Sequence, residues 1–230
     1  MGYAWEDLNS FYRPTGSTTE VILVWHIATT LFHHQELIPP QQNNDAFKKN
    51  REVALALSTY CYYLVVYLPN LLPDEVEWTE KEVYERLRNQ IFIIDRSFTQ
   101  EPTRKDRCDY AMSSITLDVN SVLGKGVKLA KKLVEFAAPP SDVEGQDGNE
   151  TQVWTMLSEF WAEMMLFIAP SDNVKGHEEI LESEELITQL WALFTHAGIL
   201  TRTKLTEWNS GNQHPSDGRQ NSEITEIVNG

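Results

Sequence analysis

The sequence predicts an all-α fold, a single-domain helical bundle of six or seven helices with a disordered C-terminal tail. Three observations predict it. Apolar residues recur at the helical period of about 3.6 in several separated stretches, each with a cap signal nearby. No alternation of apolar and polar residues runs far enough to build a sheet. A chain of 230 residues, 41% of them hydrophobic, can bury roughly 70–75% of the surface its unfolded form exposes, enough for one core. The expected division is an N-terminal arm over 1–16, a helical domain over 17–203 with a mobile linker at about 137–150, and a disordered tail over 204–230.

Ser17-Thr18-Thr19-Glu20 reads as a capping box that opens a helix to about residue 36. Its expected buried face is Val21, Val24, Trp25, Ile27, Ala28, Leu31 and Phe32, with His26, Thr29, Thr30 and His33 on the polar side. After a loop rich in Pro and Asn, Asp45 can cap a second helix. From Val53 to Leu68 almost nothing is polar, which places this helix at the centre of the bundle. Pro69 and Pro73 stop it. Its tyrosines Tyr60, Tyr62, Tyr63 and Tyr67 read as core residues whose hydroxyls need partners, in preference to the lining of a ligand cavity.

Thr79-Glu80-Lys81-Glu82 is a second capping box, opening a helix to about residue 94. The charged run 95–109, with Pro102 inside it, reads as a loop, and 108–122 is ambiguous because Ile115, Thr116 and Val119 weaken a helix. A helix over about 126–136 turns Val127, Ala130, Leu133 and Val134 inward.

The stretch 151–200 is the most informative. Val153, Trp154, Met156, Leu157, Phe160, Trp161, Met164, Met165, Phe167 and Ile168 fill one half of a helix, a face too large to stand alone in water. Pro170 ends it, and Ser171-Asp172-Asn173 supplies turn and cap chemistry. Leu186, Ile187, Leu190, Trp191, Leu193, Phe194 and Ala197 form a second inward arc, and Gly198 sits where a helix closes in the left-handed conformation. The two helices are expected to make an antiparallel hairpin or near it.

The formal net charge of −15 argues against a nucleic-acid partner and disfavours anionic membranes, since both are held by clustered Lys and Arg. Cys61 and Cys108 are too few for a disulfide framework or a zinc site, so reduced thiols and a cytoplasmic setting are expected. The acidic, aromatic opening reads as no signal peptide, and no apolar run reaches the roughly 18–20 residues of a membrane span. The sequon Asn149-Glu150-Thr151 is read as chance.

His26 and His33 are separated by about 10 Å along a helix, too far to share a metal. No histidine has the i, i+4 or Glu-x-x-His spacing of a helical metal site, so no metal, cofactor or catalytic residue is assigned. Glu159 and Glu163 read as a solvated pair rather than an acid–base pair. Gly124-Lys125-Gly126 lacks the spacing of a phosphate loop. Lys125, Lys128 and Lys132 read as a basic stripe that either pairs with the acidic segment Glu178 to Glu185 or is solvated.

Four blocks carry a resemblance: VILVWHIATT at 21–30, LSTYCYYLVVYLPNLLP at 57–73, GVKLAKKLVE at 126–135, and EFWAEMMLFIAPSDNVKGH with LWALFTHAGIL near the end. In that order they resemble the C-terminal half of the plant family classed as domain of unknown function 594, often found behind domain of unknown function 4220. The resemblance implies a plant origin and a helical fold. It brings no agreed activity and no catalytic residues. Family members usually carry a membrane-spanning part before these blocks, and the chain is expected to be a short paralogue or a truncated form.

The expected function is a non-enzymatic helical interaction or regulatory module with a protein partner. One alternative is an enzyme or small-molecule binder with a pocket between the first helix and the 151–200 hairpin, lined by His26, Glu163 and His196. The other is a peripheral membrane protein recruited by a partner.

Overall fold

Ser17 is extended and its hydroxyl accepts the Glu20 N–H at 3.2 Å, so helix α1 begins where the capping motif puts it and runs Thr18–His33. The Glu20 carboxylate forms an ion pair with Lys125 rather than returning to the cap. The structure, a computed structural model, describes residues 17–35, 45–73, 87–89, 94, 98–114, 117–138 and 149–200. Beyond α1 it contains α2 (Asp45–Tyr67), α3 (Arg104–Ser113), α4 (Val122–Ala137), α5 (Glu150–Ile168), α6 (Val174–Glu179) and α7 (Leu186–His196). Short 3₁₀ turns at Pro69–Leu71 and Leu181–Ser183 join them. The described residues contain no strand, and the fold is all-α as the periodicity predicts.

Four helices enclose the core. α1 packs on α2 and α4, and α5 packs on the same two, so α1 and α5 face each other across a diagonal. Aromatic side chains fill that diagonal. Trp25 stacks on Phe160 at 4.1 Å and Phe32 tilts onto Trp154 at 5.2 Å, while the fully buried Trp161 donates its indole N–H to Thr29 Oγ1 at 3.1 Å. Each such side chain removed from water contributes roughly 1.5–3 kcal/mol, which is what holds four amphipathic helices together.

The centre of the bundle is α1, not α2. Residues 21–25 are all buried in succession, and even Thr29 is fully enclosed. The polar side of α1 can be covered because its polar atoms find partners on the neighbouring helices: Thr29 takes the Trp161 N–H, and His26 bonds Ser58. α2 lies outside, burying a narrower set of Phe47, Ala54, Ser58, Cys61, Leu64 and Val65. Its tyrosines are not core residues. Tyr60, Tyr62 and Tyr63 are half-buried and Tyr67 is exposed, because a phenol can set its ring on apolar neighbours and its hydroxyl at the edge.

Gly126 sets the distance between α1 and α4. A Cβ there would lie 2.6 Å from Ile27 Cγ2 and 3.2 Å from the Val24 carbonyl oxygen. Ser121 caps α4 by accepting the Gly124 N–H at 3.0 Å, so the helix starts earlier than its apolar pattern indicates.

Part of the charged run expected as a loop is helical. Thr103 and Asp106 form a reciprocal capping box, with the Thr103 N–H donating to Asp106 Oδ2 at 2.8 Å and the Asp106 N–H to Thr103 Oγ1 at 3.2 Å. That box opens α3 at Arg104. The expected helix over 79–94 falls mostly outside the described residues, although 87–89 and 94 are helical, with Leu87 and Ile94 buried. The N-terminal arm, most of the expected linker and the tail lie outside the described residues. At the two ends of the linker, the Asn149 N–H donates to the Ala137 carbonyl at 3.0 Å, joining the start of α5 to the end of α4.

Candidate functional site

Where Pro170 forbids α5 to continue, the chain makes a tied turn. Ser171 Oγ accepts the Asn173 N–H at 3.1 Å, and Asn173 Oδ1 accepts the Gly176 N–H at 3.0 Å, capping α6 as the turn residues predict. The other half of the Asn173 amide donates to the Asn70 carbonyl at 2.8 Å, fastening α6 to the end of α2. Gly176 is there for space, since a Cβ would lie 2.5 Å from Asn173 Nδ2. Next comes His177, fully enclosed, its ring flat on Trp191 of α7 at 4.5 Å and its Nδ1 3.3 Å from Thr188 Oγ1. Trp191 donates its indole N–H back to the Ser171 carbonyl at 3.0 Å. Side chains from the turn, α6 and α7 thus close on one another.

A second polar contact fixes the start of α7. Glu184 adopts the left-handed conformation (φ 54), and Glu185 behind it reaches α2, where its carboxylate accepts hydrogen bonds from Tyr60 and Tyr63, each at 2.9 Å. The Tyr60 oxygen in turn accepts the Ile187 N–H at 3.1 Å, taking up one of the backbone donors a helix start leaves over. Burial, foremost, raises the Tyr60 phenol above its ordinary range, and the bond to Glu185 does most to raise Tyr63. Both phenols therefore stay protonated and act as donors to the carboxylate. The hydroxyls of Tyr60 and Tyr63 thus have the partners expected of buried phenols, at the start of a helix far along the chain.

The structure does not bring His26, Glu163 and His196 together. His26 faces α2, bonded to Ser58 at 2.8 Å and stacked on Tyr62 at 4.7 Å, while Glu163 is exposed on α5 and His196 is exposed in the last turn of α7. Burial and then the Arg104 cation lower His26 from 6.5 to about 4, so its ring is neutral at pH 7. Partial burial and then the neighbouring Glu159 raise Glu163. Cys61 is enclosed, its thiol 3.5 Å from Met165 Sδ and pushed up to about 12 by burial, which keeps it protonated. Among the described residues, no group of three or more His, Cys, Asp or Glu is placed to hold a metal ion.

Sequence reasoning missed the contacts around Trp154. Arg51 donates to His33 Nδ1 from Nε at 3.1 Å and lies 6.0 Å over the Trp154 ring, and Trp154 donates to Glu150 Oε1 at 3.2 Å. The Glu150 and Trp154 pair is visible as i, i+4; the Arg51 contact is not, since it joins different helices. Asn149 of the sequon gives its amide nitrogen to the Phe136 carbonyl at 3.3 Å.

α7 departs most from expectation. Of the arc expected to face inward, only Ile187 is fully buried; Leu186 is 39% and Leu193 65% exposed, Leu190 is half-buried and Ala197 is exposed. The apolar arc is wider than the neighbours α7 has. The Glu185 contact and the seating of Ile187 turn Ile187, Trp191 and Phe194 toward the protein, Leu190 packs at the edge of the core, and Leu186, Leu193 and Ala197 face away. Ile199 (45% exposed) and Leu200 (55% exposed) continue the apolar surface past the left-handed Gly198 (φ 78). Among the described residues, no helix is long and apolar enough to cross a membrane.

The sequence profile of the family described as "Protein of unknown function, DUF594" matches residues 146–199, from just before α5 to just past α7. No curated protein and no solved structure matches the chain. The matched segment holds the capped turn at Asn173, the His177–Trp191 stack, Glu185 and the outward face of α7, and it is over this segment that the chain is similar to the DUF594 family.

Proposed function

We propose that the protein is a non-enzymatic helical interaction module, working in the cytoplasm of a plant cell, whose protein partner docks on the outward face of α7. The observation that carries this reading is the exposure of Leu186 and Leu193, one heptad apart on a helix whose other side is anchored. Scattered apolar residues on a surface need no explanation, but an aligned row on a held helix favours a binding face. The polar anchors support the same reading. Glu185, Tyr60, His177 and Trp191 hold α7 in one orientation, and a held helix loses less freedom when a partner docks.

A photo-crosslinking residue placed at position 193, compared with one at the exposed position 131 on α4, tests it in cell extract. Discrete adducts at 193 that are absent at 131 are expected, and identical patterns at both positions would sink the proposal. Leu193→Glu is expected to leave the melting temperature near that of the wild type, as substitutions of exposed residues usually shift stability by no more than about 0.5 kcal/mol.

A further inference from the structure

Resting on that reading, we infer that the occupant of the α7 face is a basic amphipathic helix of another protein. The face names the shape of its occupant. Leu186, Leu193 and Ala197 are exposed along one side at intervals of seven and four residues, the spacing by which one helix meets another along a seam, with the half-buried Leu190 at their inner edge. One flank of this seam is polar, with Gln189 and His196 exposed, and the other runs into the protein through Ile187 and Phe194. A partner helix can therefore lie against the seam from the solvent side.

The charge around the seam names the partner's sign. Glu178 and Glu179 on α6, Glu182 in the 3₁₀ turn and Glu184 just before α7 are all exposed and lead directly to the start of the seam. Lys175 pairs with Glu179 at 3.8 Å; Glu178, Glu182 and Glu184 have no ion-pair partner among the described residues. Apolar seam and acidic approach together fit a helix with leucine-type residues on one side and Lys or Arg beside them. A second copy of the chain fits less well, since each copy brings the same glutamates and a net charge of −15. An anionic membrane is repelled for the same reason.

The test is fluorescence anisotropy with the full chain and three labelled synthetic peptides of about 18 residues, five helical turns. The first has leucines at the seam spacing flanked by lysines. The second has the same composition with the leucines scattered around the helix, and the third keeps the leucines but carries glutamate for lysine. The first peptide is expected to bind at least about tenfold more tightly than either other, a difference of about 1.4 kcal/mol. Leu193→Glu, and separately Leu186→Gln, should remove that preference without changing helicity or melting temperature. A triple Glu178→Gln, Glu182→Gln, Glu184→Gln variant should lose most of it, as should raising the salt.

Equal binding of the first and second peptides would overturn the seam. Equal binding of the first and third, both abolished by Leu193→Glu, would overturn the basic partner while leaving α7 as the docking face. If neither Leu193→Glu nor Leu186→Gln alters binding, the docking face fails as well. Self-association in sedimentation equilibrium that Leu193→Glu abolishes would make a second copy the occupant and overturn the inference.

Discussion

His26 shows how far a single side chain can differ from its reading on a helical wheel. The wheel gives it a polar side, yet in the fold that side meets α2, so the ring lies on Tyr62 and bonds Ser58, with Arg104 of α3 contributing positive charge. Burial and that charge lower it to about 4 from an ordinary 6.5. The unfolded chain takes up the proton near 6.5, whereas the folded chain does not until about 4. The contribution to stability is therefore whole above 6.5 and is lost as the pH falls from there through about 4. The urea midpoint is expected to drop between pH 7 and pH 5, and His26→Gln should reduce the drop. If the variant keeps the full pH dependence, other groups are responsible and the neutral histidine between α1 and α2 is not the source.

At the scale of the element, the α1–α4 contact depends on an absent side chain. Alanine at position 126 would gain about 1 kcal/mol of helix propensity. It would also place a Cβ 2.6 Å from Ile27 Cγ2, in the packed interior. Overpacking of this kind costs about 1–3 kcal/mol, so after the propensity gain Gly126→Ala is expected to destabilise by up to about 2 kcal/mol. Denaturant unfolding checks it against Lys131→Ala on the exposed side of α4, which should be near neutral; a stabilised Gly126→Ala would show that the helices can move apart freely.

What the sequence discloses about such elements depends on how local the cause is. Ser17 and Asn173 are legible because a cap acts within three residues, and the Thr103–Asp106 box that opens α3 is equally local, only masked by the surrounding charges and Pro102. The apolar arc of α7 is legible as an arc. Which part of it faces the protein is not, since that follows from Glu185 reaching tyrosines on α2. His177 sits in an acidic connector with nothing nearby to mark it, and its stacking partner Trp191 lies on the next long helix. The candidate site was therefore readable as composition and unreadable as orientation.

Across the whole molecule, two kinds of cohesion hold the described helices. α1, α2, α4 and α5 share a core of enclosed aromatic and aliphatic side chains, among them Trp154, Trp161, Phe32 and Leu133. α7 buries fully only Ile187 and Thr188 and is held largely by polar contacts at Tyr60, Glu185, Ser171 and His177. Apolar burial sets the free energy of global unfolding, whereas a helix held by few buried groups opens on its own at lower cost. In hydrogen exchange, amides of α7 are expected to exchange ahead of those in α1 and α5 under conditions where the protein stays folded. Tyr60→Phe removes one of the two donors to Glu185 and the acceptor for the Ile187 N–H, and loss of part-buried hydrogen bonds of this type costs about 1–2 kcal/mol. That variant should therefore speed exchange in α7 by roughly five- to thirtyfold, with α1 and α5 little changed. Uniform acceleration across all helices would mean that α7 opens only together with the core.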